Sequence, residues 1–217
     1  MTQIQTSFRF YKTTIIAAAV WLAVVVGAMA ALLNYSNAPG SAGVVPTAWP
    51  QGSKIAFDPN RPNLILFAHP HCPCTRATLG ELALLMARCG GKVSAQVWFI
   101  HPQGVSEDWM NTDQWRTASA IPGVTVHQDD SGAEALRFHS ETSGQAVLYG
   151  RDGLKLFQGG ITISRGHSGD NPGRDALAAL IEGKFSREVR TPVFGCSLFA
   201  MSCGLRGGEC EPKTKIK

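Results

Sequence analysis

Two cysteines separated by a single residue, Cys72 and Cys74, close the run His69-Pro70-His71-Cys72-Pro73-Cys74. A thiolate, not a thiol, attacks disulfides, and its pKa falls at a helix N-terminus, where orphan backbone N–H groups and the dipole favour negative charge. The residues after Cys74 supply such a helix: Leu79, Leu82, Leu85, Met86 and Cys89 recur at spacings of three and four, and Gly90-Gly91 ends the pattern. His71, beside Cys72, adds to the effect if protonated. The predicted chemistry is thiol–disulfide exchange, with Cys72 attacking from the loop side and Cys74 resolving the mixed disulfide. A bond between them closes a very small ring around Pro73, whose fixed φ limits relief of strain, and strained disulfides are more oxidising. That chemistry needs no cofactor. Two alternatives stand beside it: a purely structural disulfide, and a copper site, because His69, His71, Cys72 and Cys74 form a soft nitrogen–sulfur set suited to Cu(I). Zinc is disfavoured, since no second ligand pair with finger-like spacing exists.

The elements that must position these residues follow from periodicity. Asn63–Ala68 is a short apolar run consistent with a buried strand, which the prolines after it cannot continue. A second strand spans 92–100, with Val93, Ala95, Val97 and Phe99 alternating on one face. Ser106 caps a helix over 107–120, a brief strand covers 124–127, and Ser131 with Glu134 makes a capping box for a short helix near 132–139. Strands 145–149 and 154–158 flank Gly150-Arg151-Asp152-Gly153, a hairpin signal, and a last helix spans 175–181. A short edge strand is expected at 53–57. The order implies an α/β domain, a parallel sheet finished by an antiparallel C-terminal hairpin and flanked by helices.

In such sheets functional groups collect beyond the carboxyl ends of the parallel strands, where Cys72 and Cys74 fall, and His101-Pro102 more weakly. The hairpin returns the polar, glycine-rich loop 164–173 to the same edge. Arg165 and His167 would then bind an anionic substrate or tune a thiolate; an ordinary solvated loop with Asp170 or Asn171 capping the next helix is the alternative. Trp98, Trp109 and Trp115 are expected to pack in the core or at its rim. Cys89 reads as a buried small hydrophobe. Cys89, Cys196, Cys203 and Cys210 allow three pairings, and Cys196 could staple the tail to the domain.

The chain has 217 residues, 44% hydrophobic and 17% charged, with 20 basic and 16 acidic side chains. That excludes a disordered polyelectrolyte. Residues 34–182 hold 11 basic and 13 acidic residues, so no basic stripe marks a nucleic-acid partner. Residues 13–33 carry no charge, and about 20 apolar residues cross a bilayer. Arg9 and Lys12 precede the stretch and the next charge is Lys54, which predicts a single-pass protein of the bacterial cytoplasmic membrane with its C-terminal domain in the periplasm. A cleaved signal peptide ending at Ala28-Met29-Ala30 is the competing reading. The expected organisation is a cytoplasmic N-terminus (1–12), a transmembrane anchor (13–33), a linker with five prolines (34–62), the folded domain (63–183) and a Cys-containing basic tail (184–217).

The segment from Phe67 to Cys74 resembles the active-site segment of the thioredoxin superfamily, shortened by one residue between the cysteines. The chain is most similar to the membrane-anchored bacterial thioredoxin-like proteins of RedB type, through HPHCPCTRATLGEL (69–82), GGITISRGHSGDNPGR (159–174) and TPVFGC (191–196). The resemblance covers roughly residues 60–196. It implies a thioredoxin-like fold with a redox site, and as partners protein thiols or disulfides, or a membrane redox donor. Thioredoxins carry a Trp before the cysteines and a cis-proline packed against them that helps bind substrate backbone. This chain lacks the Trp, and the proline's place falls at Ser143-Gly144, making Gly144 the matching substrate-binding position and leaving a metal site more open.

Overall fold

The computed structural model describes residues 2–199, 201–202 and 211–212, with side chains from Lys12 to Phe199. It divides into two units, Met1–Ala38 and Pro39–Lys217. The first is one helix, α1 (Thr2–Asn37). Its part Lys12–Asn37 has 26 residues and a mean hydropathy of 2.6 over its most apolar stretch, long and apolar enough to cross a membrane. Trp21, Leu22, Val24 and Leu32 lie exposed along it, an apolar surface that water does not favour.

The second unit is built on a five-stranded sheet of order β3-β2-β1-β4-β5. β1 (Asn63–Ala68), β2 (Ser94–His101) and β3 (Val124–Asp130) run parallel. β4 (Gln145–Tyr149) lies antiparallel to β1, and β5 (Lys155–Gly159) antiparallel to β4. This is the expected thioredoxin-like sheet. All six residues of central β1 are buried, because both faces are covered. On one face Leu64, Leu66, Val97 and Phe99 pack against α2 (Thr75–Cys89) and α5 (Pro172–Ile181). On the other, Ile65, Phe67, Trp98, Ile100 and Tyr149 surround Phe138. Cys89 is fully buried on the first face, and burial pushes its thiol pKa up.

Four expectations are corrected. The helix over 107–120 is a 3-10 turn, Glu107–Met110, followed by α3 (Asp113–Ser119). Thr112, not Ser106, supplies the cap, its Oγ1 accepting the Trp115 N–H at 3.2 Å. There is no capping box at α4 (Ala133–Arg137): Ser131 has a φ of 60°, and the Asp129 carboxylate accepts the N–H groups of Glu134 and Ala135 at 2.9 and 2.8 Å. Glu134 turns instead to Ser53 Oγ at 2.6 Å, and residues 53–57 form no strand.

The proline-rich stretch from Pro39 onward is part of the folded unit rather than a tether. Val45 and Ile55 are 1% and 3% exposed, Trp49 meets Phe138 and Tyr149 edge-on, and Tyr149 donates its hydroxyl to the Pro46 carbonyl at 3.0 Å. Its prolines keep the backbone extended while its few large apolar residues close the second core. The described part of the expected tail also folds back: Val193 and Leu198 are buried, and Gln158 bridges to Arg190. Cys203 and Cys210 lie outside the described residues. If 39–62 were a free linker, Ile55→Ala would alter stability by no more than about 0.5 kcal/mol. As a core residue it should cost about 3 kcal/mol, measured by chemical denaturation of the full chain in detergent.

Candidate functional site

β1 delivers the chain to the site edge at Ala68, and the turn that follows is fixed mainly by backbone bonds. Cys72 N–H donates to the His69 carbonyl at 3.1 Å, and the Cys72 carbonyl accepts from Thr75 N–H at 3.0 Å and from the buried amide of Gln114 at 2.8 Å. Cys74 then starts α2 with helical angles (φ −67°, ψ −25°) and no side-chain cap. Cys72 is 1% exposed and Cys74 8%.

The Cys72 sulfur is an acceptor for groups from several directions. Cys196 N–H lies 3.4 Å from it. Burial alone pushes the Cys72 thiol up, but the hydrogen bonds outweigh it: from the Cys196 side chain and N–H, from Cys74 N–H and from the Thr75 side chain, so the net shift is downward. The neighbours move the other way. Burial raises Cys74, the negative charge of Cys72 and a hydrogen bond to it add to the rise, and Arg165 opposes it. Burial, then the hydrogen bond to Cys72 and its charge, push Cys196 up to about 12. The three thiols are thus shifted apart, Cys72 downward and Cys74 and Cys196 upward.

Cys196 reaches this place on the segment 191–198. Ser143 N–H donates to the Cys196 carbonyl at 2.8 Å, Leu198 N–H to the Glu141 carbonyl at 2.8 Å, and Thr142 bridges antiparallel to Ser197. Gly195 is required by contact, since a Cβ there would lie 1.9 Å from the Ser143 carbonyl oxygen. Ser143 Oγ accepts the His69 N–H at 2.8 Å and shares a hydrogen bond with Thr75 Oγ1 at 2.9 Å. Gly144, with φ 91°, donates its N–H to the Phe67 carbonyl at 2.8 Å. Ser143-Gly144 therefore joins the end of β1, the start of α2 and the 191–198 strap. There is no cis peptide among the described residues.

The other predicted residues divide. Arg165 is brought to Cys74 and also donates to the Gly195 carbonyl. His167 is exposed, its ring paired with the Arg165 carbonyl at 2.7 Å. Gly144 is buried beneath α2, its N–H already paired. His71 turns away from Cys72: its Nε2 donates to the Trp109 carbonyl at 3.0 Å and its ring packs on that indole at 4.2 Å. His69 Nδ1 accepts the His71 N–H at 3.1 Å, and burial, then the charge of His71, lowers its pKa. Both imidazoles thus face Trp109 while the sulfurs face Cys196 and Arg165. The four-donor copper set does not converge, and no group of three or more His, Cys, Asp or Glu is placed to hold a metal among the described residues. His101 is half-buried with Nε2 unpaired.

The loop 164–173 is held by Glu81, fully buried on α2. Its carboxylate pairs with Arg174 and accepts from Gly169 N–H at 2.7 Å and Asn171 Nδ2 at 3.2 Å, while Asn171 Oδ1 caps α5 through Arg174 N–H at 2.8 Å. Glu81 and Gln114 go unread in the sequence, and Ser143 is read there only as half of the proline's place. Glu81 had a signal: it is the one acid on the stripe Thr78, Glu81, Leu82, Leu85.

No protein-family model and no curated protein matches the sequence. Among solved structures the chain is similar to an uncharacterized conserved protein from Geobacillus kaustophilus, at 17% identity and a TM-score of 0.56 over 77% of this chain and 95% of that one. It is similar also to a hypothetical protein from Sinorhizobium meliloti 1021, at 19% identity and a TM-score of 0.52 over 74% and 93%. A secreted Mycobacterium tuberculosis disulfide oxidoreductase overlaps more loosely, with a TM-score of 0.41 and 17% identity over 57% and 82%. At these identities the likeness is one of fold.

Two outcomes follow from the site's electrostatics. Followed by the thiolate's ultraviolet absorbance, Cys72 should ionise below the ordinary cysteine value of about 8.5, and Thr75→Val should move the midpoint up. Because its folded pKa is depressed, Cys72 contributes stability that is full above that ordinary value and is lost as pH falls through the folded pKa. Separately, Glu81→Ala leaves Arg174 without its buried partner and should cost about 3 kcal/mol in denaturant melts.

Proposed function

We propose that this chain is a membrane-tethered thiol–disulfide oxidoreductase with Cys72 as its nucleophile, working on protein thiols or disulfides at the periplasmic face of the bacterial cytoplasmic membrane. The observation that carries the reading is the Cys72 sulfur itself, held at the start of α2 as the shared acceptor of the Cys196 N–H and of neighbouring side chains. A thiolate so placed attacks one sulfur of a partner disulfide. The sulfur–sulfur bond of the partner breaks, its other sulfur leaves as a thiolate, and a mixed disulfide forms on Cys72. A second thiol of the same site then attacks Cys72 and releases the partner reduced; by sequence position that thiol is Cys74. Run backwards, the same steps oxidise a dithiol. A membrane redox donor or a dithiol protein returns the electrons.

Arg165 is assigned to Cys74, where its charge favours the thiolate whenever that sulfur attacks or leaves. His71 and His167, both exposed near this edge, offer contact surface to a partner. The charge pattern around α1, Arg9 and Lys12 before it and none until Lys54, supports an exported domain. The runs at 69–82, 159–174 and 191–196 favour the RedB-type branch.

The test is adduct formation and turnover by the full chain in detergent. Incubated with glutathione disulfide, the reduced protein should carry glutathione on Cys72, and Cys72→Ser should reduce turnover of a mixed-disulfide peptide by at least about a hundredfold. Full activity of Cys72→Ser would end the proposal.

A further inference from the structure

Three thiols meet at this site, and we propose that Cys196, rather than Cys74, resolves the mixed disulfide on Cys72, so that the oxidised protein carries a Cys72–Cys196 bond. This rests on the exchange reading above and names the second sulfur of the same site. Cys196 comes from 124 positions away, yet its N–H points at the Cys72 sulfur from 3.4 Å. Its placement is fixed on both sides: the Ser143 N–H on its carbonyl, the Thr142 to Ser197 bridge beyond it, and Arg165 on the Gly195 carbonyl before it. Gly195 presses so closely on the Ser143 carbonyl that no side chain fits there.

The competing thiol is worse placed to close. A Cys72–Cys74 bond must span Pro73, whose φ is fixed, while Cys74 already holds helical angles as the N-cap of α2. Forming it works against the helix start. Cys196 sits outside any helix, so a bond from it to Cys72 disturbs no helix start.

Cys72 is 1% exposed, so a partner's sulfur meets it only when the residues around it open. The partner disulfide is then cleaved, its first sulfur leaving as a thiolate. Cys196 then gives its proton to the departing partner sulfur as its own sulfur attacks Cys72, so the Cys72–Cys196 bond forms and the partner's second sulfur leaves as a thiol. Two thiols of the chain have lost two electrons and the partner has gained them. Burial holds the Cys196 thiol high throughout, but once Cys72 is bonded its charge no longer adds to the rise, and Arg165 still opposes it.

The full chain in detergent, oxidised with glutathione disulfide and digested without reduction, is mapped by mass spectrometry. The expected product joins the Cys72 and Cys196 peptides; a bond from Cys72 to Cys74, Cys203 or Cys210 overturns the assignment. In parallel, the glutathione adduct on Cys72 should persist about tenfold longer in Cys196→Ser than in the unaltered chain, and no longer in Cys74→Ser. The opposite pattern returns the resolving part to Cys74 and leaves exchange at Cys72 standing. If no variant, nor the unaltered chain, takes glutathione on Cys72, the exchange reading fails together with this one. The map of the unaltered chain stands even where Cys196→Ser does not fold.

Discussion

A sulfur that is to carry negative charge under a protein surface needs donors around it, because burial alone would neutralise it. Cys72 satisfies this with contributions from separate parts of the chain. β1 ends where the turn begins, α2 brings the Cys74 N–H and Thr75, and the strap brings Cys196. Ser143 ties the three together without touching the sulfur, through the His69 N–H, the Thr75 hydroxyl and the Cys196 carbonyl. The sheet order explains why this works. β4 lies beside β1, so the residues just before β4 reach the carboxyl end of β1, where α2 begins.

What was legible in the sequence was what periodicity encodes. The all-apolar β1, the stripe of α2 and the Gly-Arg-Asp-Gly turn each announce local structure, and together they put Cys72 and Cys74 at a strand-to-helix turn. The illegible parts depend on partners far away in the chain. Composition made 34–62 a tether because Gly, Ser, Ala and five prolines dominate it; Val45 and Ile55 are few but fully used. The capping box at Ser131 and Glu134 was a correct local pattern overridden by Asp129 from the end of β3, which reached the same N–H groups. His71 adjoined Cys72 in sequence, yet its ring found Trp109. Cys196 was visible only as a tail cysteine that could staple the tail to the domain, since nothing local says which loop it meets.

Glu81 shows how the site edge is held in register. A buried carboxylate is costly unless paired and hydrogen-bonded, and here Arg174, Gly169 and Asn171 all meet it. The pairing locks the loop 164–173 to the same helix that starts at the cysteines. Arg165 is thereby carried to Cys74 by a loop anchored on α2 itself, so the cation and the thiols share one frame. The polar, glycine-rich character of that loop reflects this anchoring as much as any contact with a substrate.

Which sulfur pairs with Cys72 also decides the direction of electron flow. A bond across one proline would be strained and of high potential, and the stabilised Cys72 thiolate favours the reduced form as well. A bond to Cys196 closes a loop of 124 positions. In the chain-entropy account such a closure stabilises the fold by about 5 kcal/mol, against under about 2 kcal/mol for a loop of a few residues. Stabilisation of the oxidised form lowers its potential, by about 30 mV for each 1.4 kcal/mol, so the difference of about 3 kcal/mol corresponds to roughly 70 mV before any strain is counted. Pairing with Cys196 therefore makes the protein a better electron donor than its Cys-x-Cys motif alone implies.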